Sequence, residues 1–164
     1  MSDALRPVLA DLHLPSPEAT AAFAARLSDR LGPGDVLCLS GDLGAGKTHF
    51  ARALIQHRQR QAEDVPSPTF TLVQTYDLPQ GDVWHADLYR LSDPWEVAEL
   101  GLLDAFDTAL CLVEWPDRLG PDLPDRALWV SLRMLPGQDD ARHLTLSSLC
   151  PGLWAGRLDG LGLT

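Results

Sequence analysis

Gly41-Asp42-Leu43-Gly44-Ala45-Gly46-Lys47-Thr48 has the spacing G-x-x-x-x-G-K-[ST], and Lys47 is the only lysine in a chain with 13 basic residues. The chemistry this pattern can do is phosphate binding. Glycines let the backbone N–H groups of Leu43 to Thr48 curl around a β-phosphate, and a helix beginning there presents its positive end to the same charge. A lysine ammonium is a compact point charge suited to the outer phosphates. A threonine hydroxyl suits one octahedral position on Mg²⁺. Asp42, Leu43, Gly44, Ala45, Gly46, Lys47, Thr48 and the following His49 form the candidate nucleotide-binding set.

Hydrolysis needs in addition an acid near the metal, at the end of a neighbouring strand. Glu114 follows the apolar run Ala109-Leu110-Cys111-Leu112-Val113, and a carboxylate there is costly to bury unless it faces Mg²⁺ or a polarised water. Asp87, near the end of Val83 to Tyr89, is the other acid preceded by a strand-like segment. Lys47, Asp87 and Glu114 are the candidate catalytic groups, and Thr48, Glu114 and Asp87 the candidate metal ligands. Ser67, Thr69 and Thr71 lie where such proteins place a segment that senses the γ-phosphate; an edge strand with ordinary threonine content is the alternative.

The elements that must position these residues are legible in outline. Val8 to Leu14 alternates apolar and polar residues like a strand. Ser16-Pro17 reads as an N-cap with proline at the first helical position, and Ala19, Phe23, Leu27 and Leu31 then recur at helical spacing. Gly32-Pro33-Gly34 stops that helix. Val36 to Ser40 leads straight into the glycine loop, and Thr48 to His57 holds neither Gly nor Pro, so the order is strand, loop, helix. Thr69 to Tyr76 and Val83 to Tyr89 read as a hairpin about Pro79 to Asp82. Asp93-Pro94 opens a helix with an apolar stripe at Val97, Leu100 and Leu103. The run ending in Glu114 has the continuous apolarity of a strand covered on both faces. Leu128 to Met134 and His143 to Ser147 predict an antiparallel hairpin at one edge, turning at Pro136-Gly137. Nothing is readable in 151–164.

At 164 residues and 45% hydrophobic side chains, one domain over 1–164 is expected. Acids outnumber bases 23 to 13, for a formal charge of −10, and no basic cluster exceeds Arg58-Gln59-Arg60. That balance argues against autonomous DNA or RNA binding through the phosphate backbone. Cys38, Cys111 and Cys150 lack paired metal-type spacing and read as free thiols of a reducing compartment. No apolar run approaches 18 residues, and the N-terminal segment lacks the features of a signal peptide. The expectation is a cytoplasmic protein without membrane association.

Together, SGDLGAGKT from Ser40, SPTFTLVQTY from Ser67, HADLYRL from His85, DPWEVAELGLLDAF from Asp93 and CLVEWPDR from Cys111 resemble the TsaE (YjeE) family of bacterial tRNA threonylcarbamoyladenosine synthesis. The likeness spans about 16–118, with the motifs in family order. It implies a P-loop NTPase fold of three α/β/α layers, its central sheet mostly parallel with antiparallel edge hairpins. It further implies binding of ATP with Mg²⁺, ligation of Mg²⁺ by Thr48 and Glu114, and support of the metal or the attacking water by Asp87. Ser16 to Thr20 is expected beside the adenine. Trp115 matches the family's Trp after the acid, and Arg142 corresponds to a basic residue near the nucleotide. His49 stands where the family usually has Thr or Ser. The implied function is slow ATP hydrolysis that resets a complex with the TsaD and TsaB proteins, which modify adenosine 37 of tRNA. The acidity of this chain agrees with RNA contact made only through partners.

Two rivals share the loop. A small-molecule kinase needs an arginine-bearing lid and an acceptor pocket after the core, and a nucleotide-gated scaffold would dock partners without needing hydrolysis.

Overall fold

The computed structural model describes residues 6–59 and 72–162. Ser67, Thr69, Thr71 and the start of the first hairpin therefore lie outside the described residues.

Seven strands form one mixed sheet: β1 (Val8–Leu14), β2 (Val36–Ser40), β3 (Val73–Tyr76), β4 (Val83–Asp87), β5 (Leu110–Glu114), β6 (Leu128–Leu135) and β7 (Gln138–Ser147). Their order across the sheet is β1-β7-β6-β2-β5-β4-β3. The central ladders β6·β2, β2·β5 and β5·β4 are parallel, whereas β1·β7, β7·β6 and β4·β3 on the flanks are antiparallel. The expected hairpin is β6–β7, but it does not end the sheet. β1 pairs along β7 from Val8↔Ser147 to Leu14↔Arg142 and takes the edge itself. Its half-polar alternation suits a strand with one neighbour.

Two helices and a C-terminal turn cover one face. α1 (Pro17–Ser28) starts at the Ser16 cap, whose Oγ accepts the Ala19 N–H at 3.1 Å, and Pro17 stands at the first helical position. It buries Thr20, Phe23, Ala24 and Leu27. The helix ends at Ser28, earlier than the spacing to Leu31 predicts, and Leu31 is buried from the turn that follows. α2 (Lys47–Arg58) buries Phe50, Ala51, Leu54 and Ile55 against β2, β5 and β6. Phe23 and Phe50 join the two helices with ring centroids 6.4 Å apart. Arg58 ties their far ends by donating to the carbonyls of Ser28 at 2.9 Å and Leu31 at 3.3 Å. The tail that sequence left unread forms α5 (Pro151–Ala155) and completes this face. Trp154 is fully buried and donates Nε1–H to the Arg126 carbonyl at 2.8 Å, and Leu158 and Leu161 join the same core.

The opposite face of β2, β4 and β5 is covered by α3 (Pro94–Glu99) and α4 (Leu102–Ala105). Asp93 caps α3 as expected, accepting the Trp95 N–H at 3.0 Å. The single stripe through Val97, Leu100 and Leu103 does not form. Gly101 adopts φ +82 and breaks the segment in two, so Leu102 is buried while Leu100 is 46% exposed. Period counting cannot see a left-handed glycine that resets the helix phase. Cys38 and Cys111 are free and buried on the sheet; loss of solvation pushes the Cys111 thiol up to about 12 and raises the Cys38 thiol as well.

Candidate nucleotide site

β2, β4 and β5 all end at one side of the sheet, and their registers align Leu39 with Glu114 and Glu114 with Asp87. Paired residues point to the same face and side chains alternate along a strand. Leu110, Leu112 and Glu114 therefore share a face with Val83, His85 and Asp87, the first members packing on α2 and the last reaching the rim. Crevices beyond the carboxyl ends of strands are where open α/β sheets take ligands.

The glycine loop leaves β2 at Gly41, with φ +147. A Cβ there would stand 2.5 Å from the Leu132 carbonyl oxygen, so the loop can lie this close to β6 only without a side chain. Gly46, left-handed, is the N-cap of α2, and the helix has no acidic side chain in its first turn. The free N–H groups and the positive dipole end of a twelve-residue helix thus face the loop. Arg142 of β7 fastens the loop from behind. It donates through Nε to the Ala45 carbonyl at 2.8 Å and through Nη2 to that of Gly44 at 3.3 Å.

Lys47, almost fully buried, folds over this loop and donates to the carbonyls of Gly41 at 2.6 Å and Asp42 at 2.9 Å. Its Nζ lies 4.3 Å from the ring centroid of Trp115, a cation–π contact. Burial lowers the Lys47 pKa, and the carboxylates of Glu114, Asp87 and Asp42 oppose that shift. Trp115 is the one non-glycine residue with positive φ among the described residues, at φ 57 and ψ 53. Tyr89 packs against its ring with centroids 5.0 Å apart.

The Thr48 hydroxyl donates to Glu114 Oε1 at 2.8 Å, and His85 Nε2 lies 2.7 Å from Glu114 Oε2. Glu114 is 2% exposed. Asp87 accepts the Tyr89 N–H at 3.1 Å; burial, then repulsion from Glu114, raises its pKa, against the pull of that N–H, His85 and Lys47. Among the described residues no three His, Cys, Asp or Glu side chains cluster as a metal cage. A hydroxyl beside one or two carboxylates is instead the partial ligand set that Mg²⁺ completes with phosphate oxygens and water.

Leu43, Gly44, Gly46, Lys47, Thr48, His49, Asp87, Tyr89, Glu114 and Trp115 line one cleft of about 260 Å³. Asp42 and Ala45 instead line a larger groove of about 490 Å³ on the other side of the loop, with Ser131, Arg133 and His143. The smaller cleft holds Thr48 and both candidate carboxylates. His49 turns away from a hydroxyl's role and donates Nε2–H to the Pro17 carbonyl at 2.9 Å, which joins the starts of α1 and α2. Ser16 and Thr20 are outside the cleft lining. The Ser16 Oγ caps α1, and the Thr20 hydroxyl donates to the Ser16 carbonyl at 3.3 Å.

Sequence reasoning from the residues passed over His85 and Tyr89. The signal for His85 was its position two residues before Asp87, on the same strand face. Nothing in the local sequence announced Tyr89 as a ring partner of Trp115.

The family profile described as Threonylcarbamoyl adenosine biosynthesis protein TsaE matches residues 14–144. The chain belongs to the TsaE family. The match extends past Arg118 through β6 and into β7, which carries Arg142. A tRNA threonylcarbamoyladenosine biosynthesis protein TsaE of Rickettsia bellii (strain RML369-C) is 41% identical over 135 residues, covering 82% of this chain and 92% of that protein. The TsaE protein of Bacillus subtilis (strain 168) is 36% identical over 135 residues, 82% of each chain. The crystal structure of Bacillus subtilis YdiB superposes with a TM-score of 0.75 at 29% identity, over 95% of both chains. The α/β architecture is thus that of a P-loop NTPase within the TsaE family. Among the described residues no helix is long and apolar enough to cross a membrane.

Proposed function

We propose that this TsaE-family chain, one unit over 1–164, binds ATP with Mg²⁺ and hydrolyses it slowly in the cytoplasm. The cycle resets a complex with TsaD and TsaB during threonylcarbamoyl modification of tRNA adenosine 37. The observation that carries this reading is the 2.8 Å bond between the Thr48 hydroxyl at the start of α2 and the buried Glu114 carboxylate. A phosphate-binding helix end and a metal-ready acid meet there in one cleft. Backbone amides from Leu43 to Thr48 cradle the phosphates, and Lys47 has a third donor left for an outer phosphate oxygen. Thr48, Glu114 and Asp87 are the residues that would hold Mg²⁺, which when bound neutralises phosphate charge. Asp87, with its raised pKa, supports the metal or orients water. Trp115 restrains Lys47 through its ring, and Ser16 and Thr20 lie on the α1 start that His49 brings toward the adenine side.

The tRNA pathway is supported by the names of the relatives, and the partners TsaD and TsaB by the family resemblance. The net charge of −10 supports tRNA contact through TsaD and TsaB rather than through this chain. A transition-state arginine supplied in trans is worth ~10³ to 10⁵ in rate for P-loop hydrolysis, so turnover by the isolated chain is expected to be slow. Single-turnover ATP hydrolysis measured alone, with TsaD and TsaB, and with tRNA added tests the reading. A partner-dependent rate that collapses in Glu114→Ala supports it; an unchanged rate with both partners, or transfer to a metabolite hydroxyl in place of water, overturns it.

A further inference from the structure

The two oxygens of Glu114 have different partners: Oε1 accepts from Thr48, and Oε2 lies 2.7 Å from His85 Nε2 in a fully buried contact. An ionised carboxylate can only accept, so the hydrogen between Glu114 and His85 belongs to Nε2. His85 Nδ1 is buried without a hydrogen-bond partner among the described residues. The contact thus fixes Nε2 as the ring nitrogen that carries a hydrogen toward Glu114. β4 and β5 fix the distance, because His85 pairs with Leu112 one pleat behind the Asp87↔Glu114 pair.

We propose that His85 is a positioning residue: it occupies Oε2 of Glu114 and leaves Oε1 as the one oxygen turned toward Thr48, where nucleotide-bound Mg²⁺ is received. This assignment rests on the nucleotide reading above. It gives a histidine shut off from solvent a defined task, since a carboxylate held at one oxygen is pre-oriented for single-oxygen ligation.

The test measures binding of a non-hydrolysable ATP analogue by calorimetry with and without Mg²⁺. His85→Leu is expected to lose ~10- to 100-fold of the Mg²⁺-dependent gain in affinity, the usual effect of removing a partner behind a metal ligand. Its metal-free affinity should stay within about twofold of the wild type, and His85→Gln, which keeps an N–H donor, should recover most of the gain. Full Mg²⁺ dependence in His85→Leu, or equal losses with and without the metal, overturns the proposal. Should the Leu variant not fold, nitrogen NMR of histidine-labelled wild type decides the matter without any variant. Hydrogen on Nε2 supports the assignment, and a bare Nε2 ends it. Wild-type protein that binds no nucleotide would sink the site reading instead, and the ring's tautomer would still be read independently.

Discussion

At the scale of single residues, what decides the chemistry is how few donors converge and how enclosed they are. Thr48 and Glu114 are joined by a 2.8 Å hydrogen bond in a cleft that Lys47, Asp87, Tyr89 and Trp115 also line. Thr48→Ala is therefore expected to weaken analogue binding by about tenfold in the presence of Mg²⁺, about the worth of one charge-assisted hydrogen bond. Binding in chelator should change little; titration calorimetry in the two buffers checks it, and equal losses in both would contradict the assignment. Most of this was readable from letters: the loop spacing, and an acid at the end of an apolar run. What could not be read is orientation. That Lys47 lies under the Trp115 ring depends on a left-handed backbone at Trp115. The departure of His49 from the family's hydroxyl is visible in sequence, but its bond to Pro17 is made across two helices.

At the scale of elements, glycines at two positions set geometry for different reasons. Gly41 meets the Leu132 carbonyl, whereas Gly101 only phases two short helices. Gly41→Ala should lower the melting temperature and abolish nucleotide binding, because the loop must move off β6 to admit the methyl. Gly101→Ala should cost ~1 to 2 kcal/mol for its left-handed φ and leave nucleotide affinity unchanged. Thermal melts paired with calorimetry on both variants separate the two. Strands β2 and β5 were legible because burial on both faces leaves an unbroken apolar signature. The broken α3–α4 segment was not, because the left-handed Gly101 resets the helix phase, nor was the edge position of β1, which is set by tertiary pairing with β7.

At the scale of the whole molecule, the unread C-terminal tail proves to be a clasp. Trp154 fills the core beneath β1 and β6, and Arg157 stacks on it with its guanidinium 4.3 Å from the ring centroid while pairing with Asp35 at the start of β2. Trp154→Ala should cost ~3 to 5 kcal/mol, as large aromatic truncations do. For a chain of this size that is a fall of roughly 6 to 20 °C in melting temperature by scanning calorimetry. The outer edge carries a smaller effect, tuned by acidity. Asp11 of β1 accepts from the Thr145 hydroxyl at 2.7 Å and His143 at 2.9 Å, and these bonds hold its pKa below the ordinary 3.8. A carboxyl lowered on folding contributes stability above its unfolded value and loses it as pH falls through the folded one. Wild type should thus melt slightly above Asp11→Asn at neutral pH, and the gap should close below pH 3.8. A gap that persists there would refute the coupling. Glu114, by contrast, is mounted on the most enclosed strand, laddered to a neighbour on either side and buried along its whole length. The acidic wall of the cleft is consequently a fixed anvil for the proposed hydrolysis. On that proposal, whatever sets the rate must act from the rim, by reaching into the cleft mouth rather than by prying its back wall.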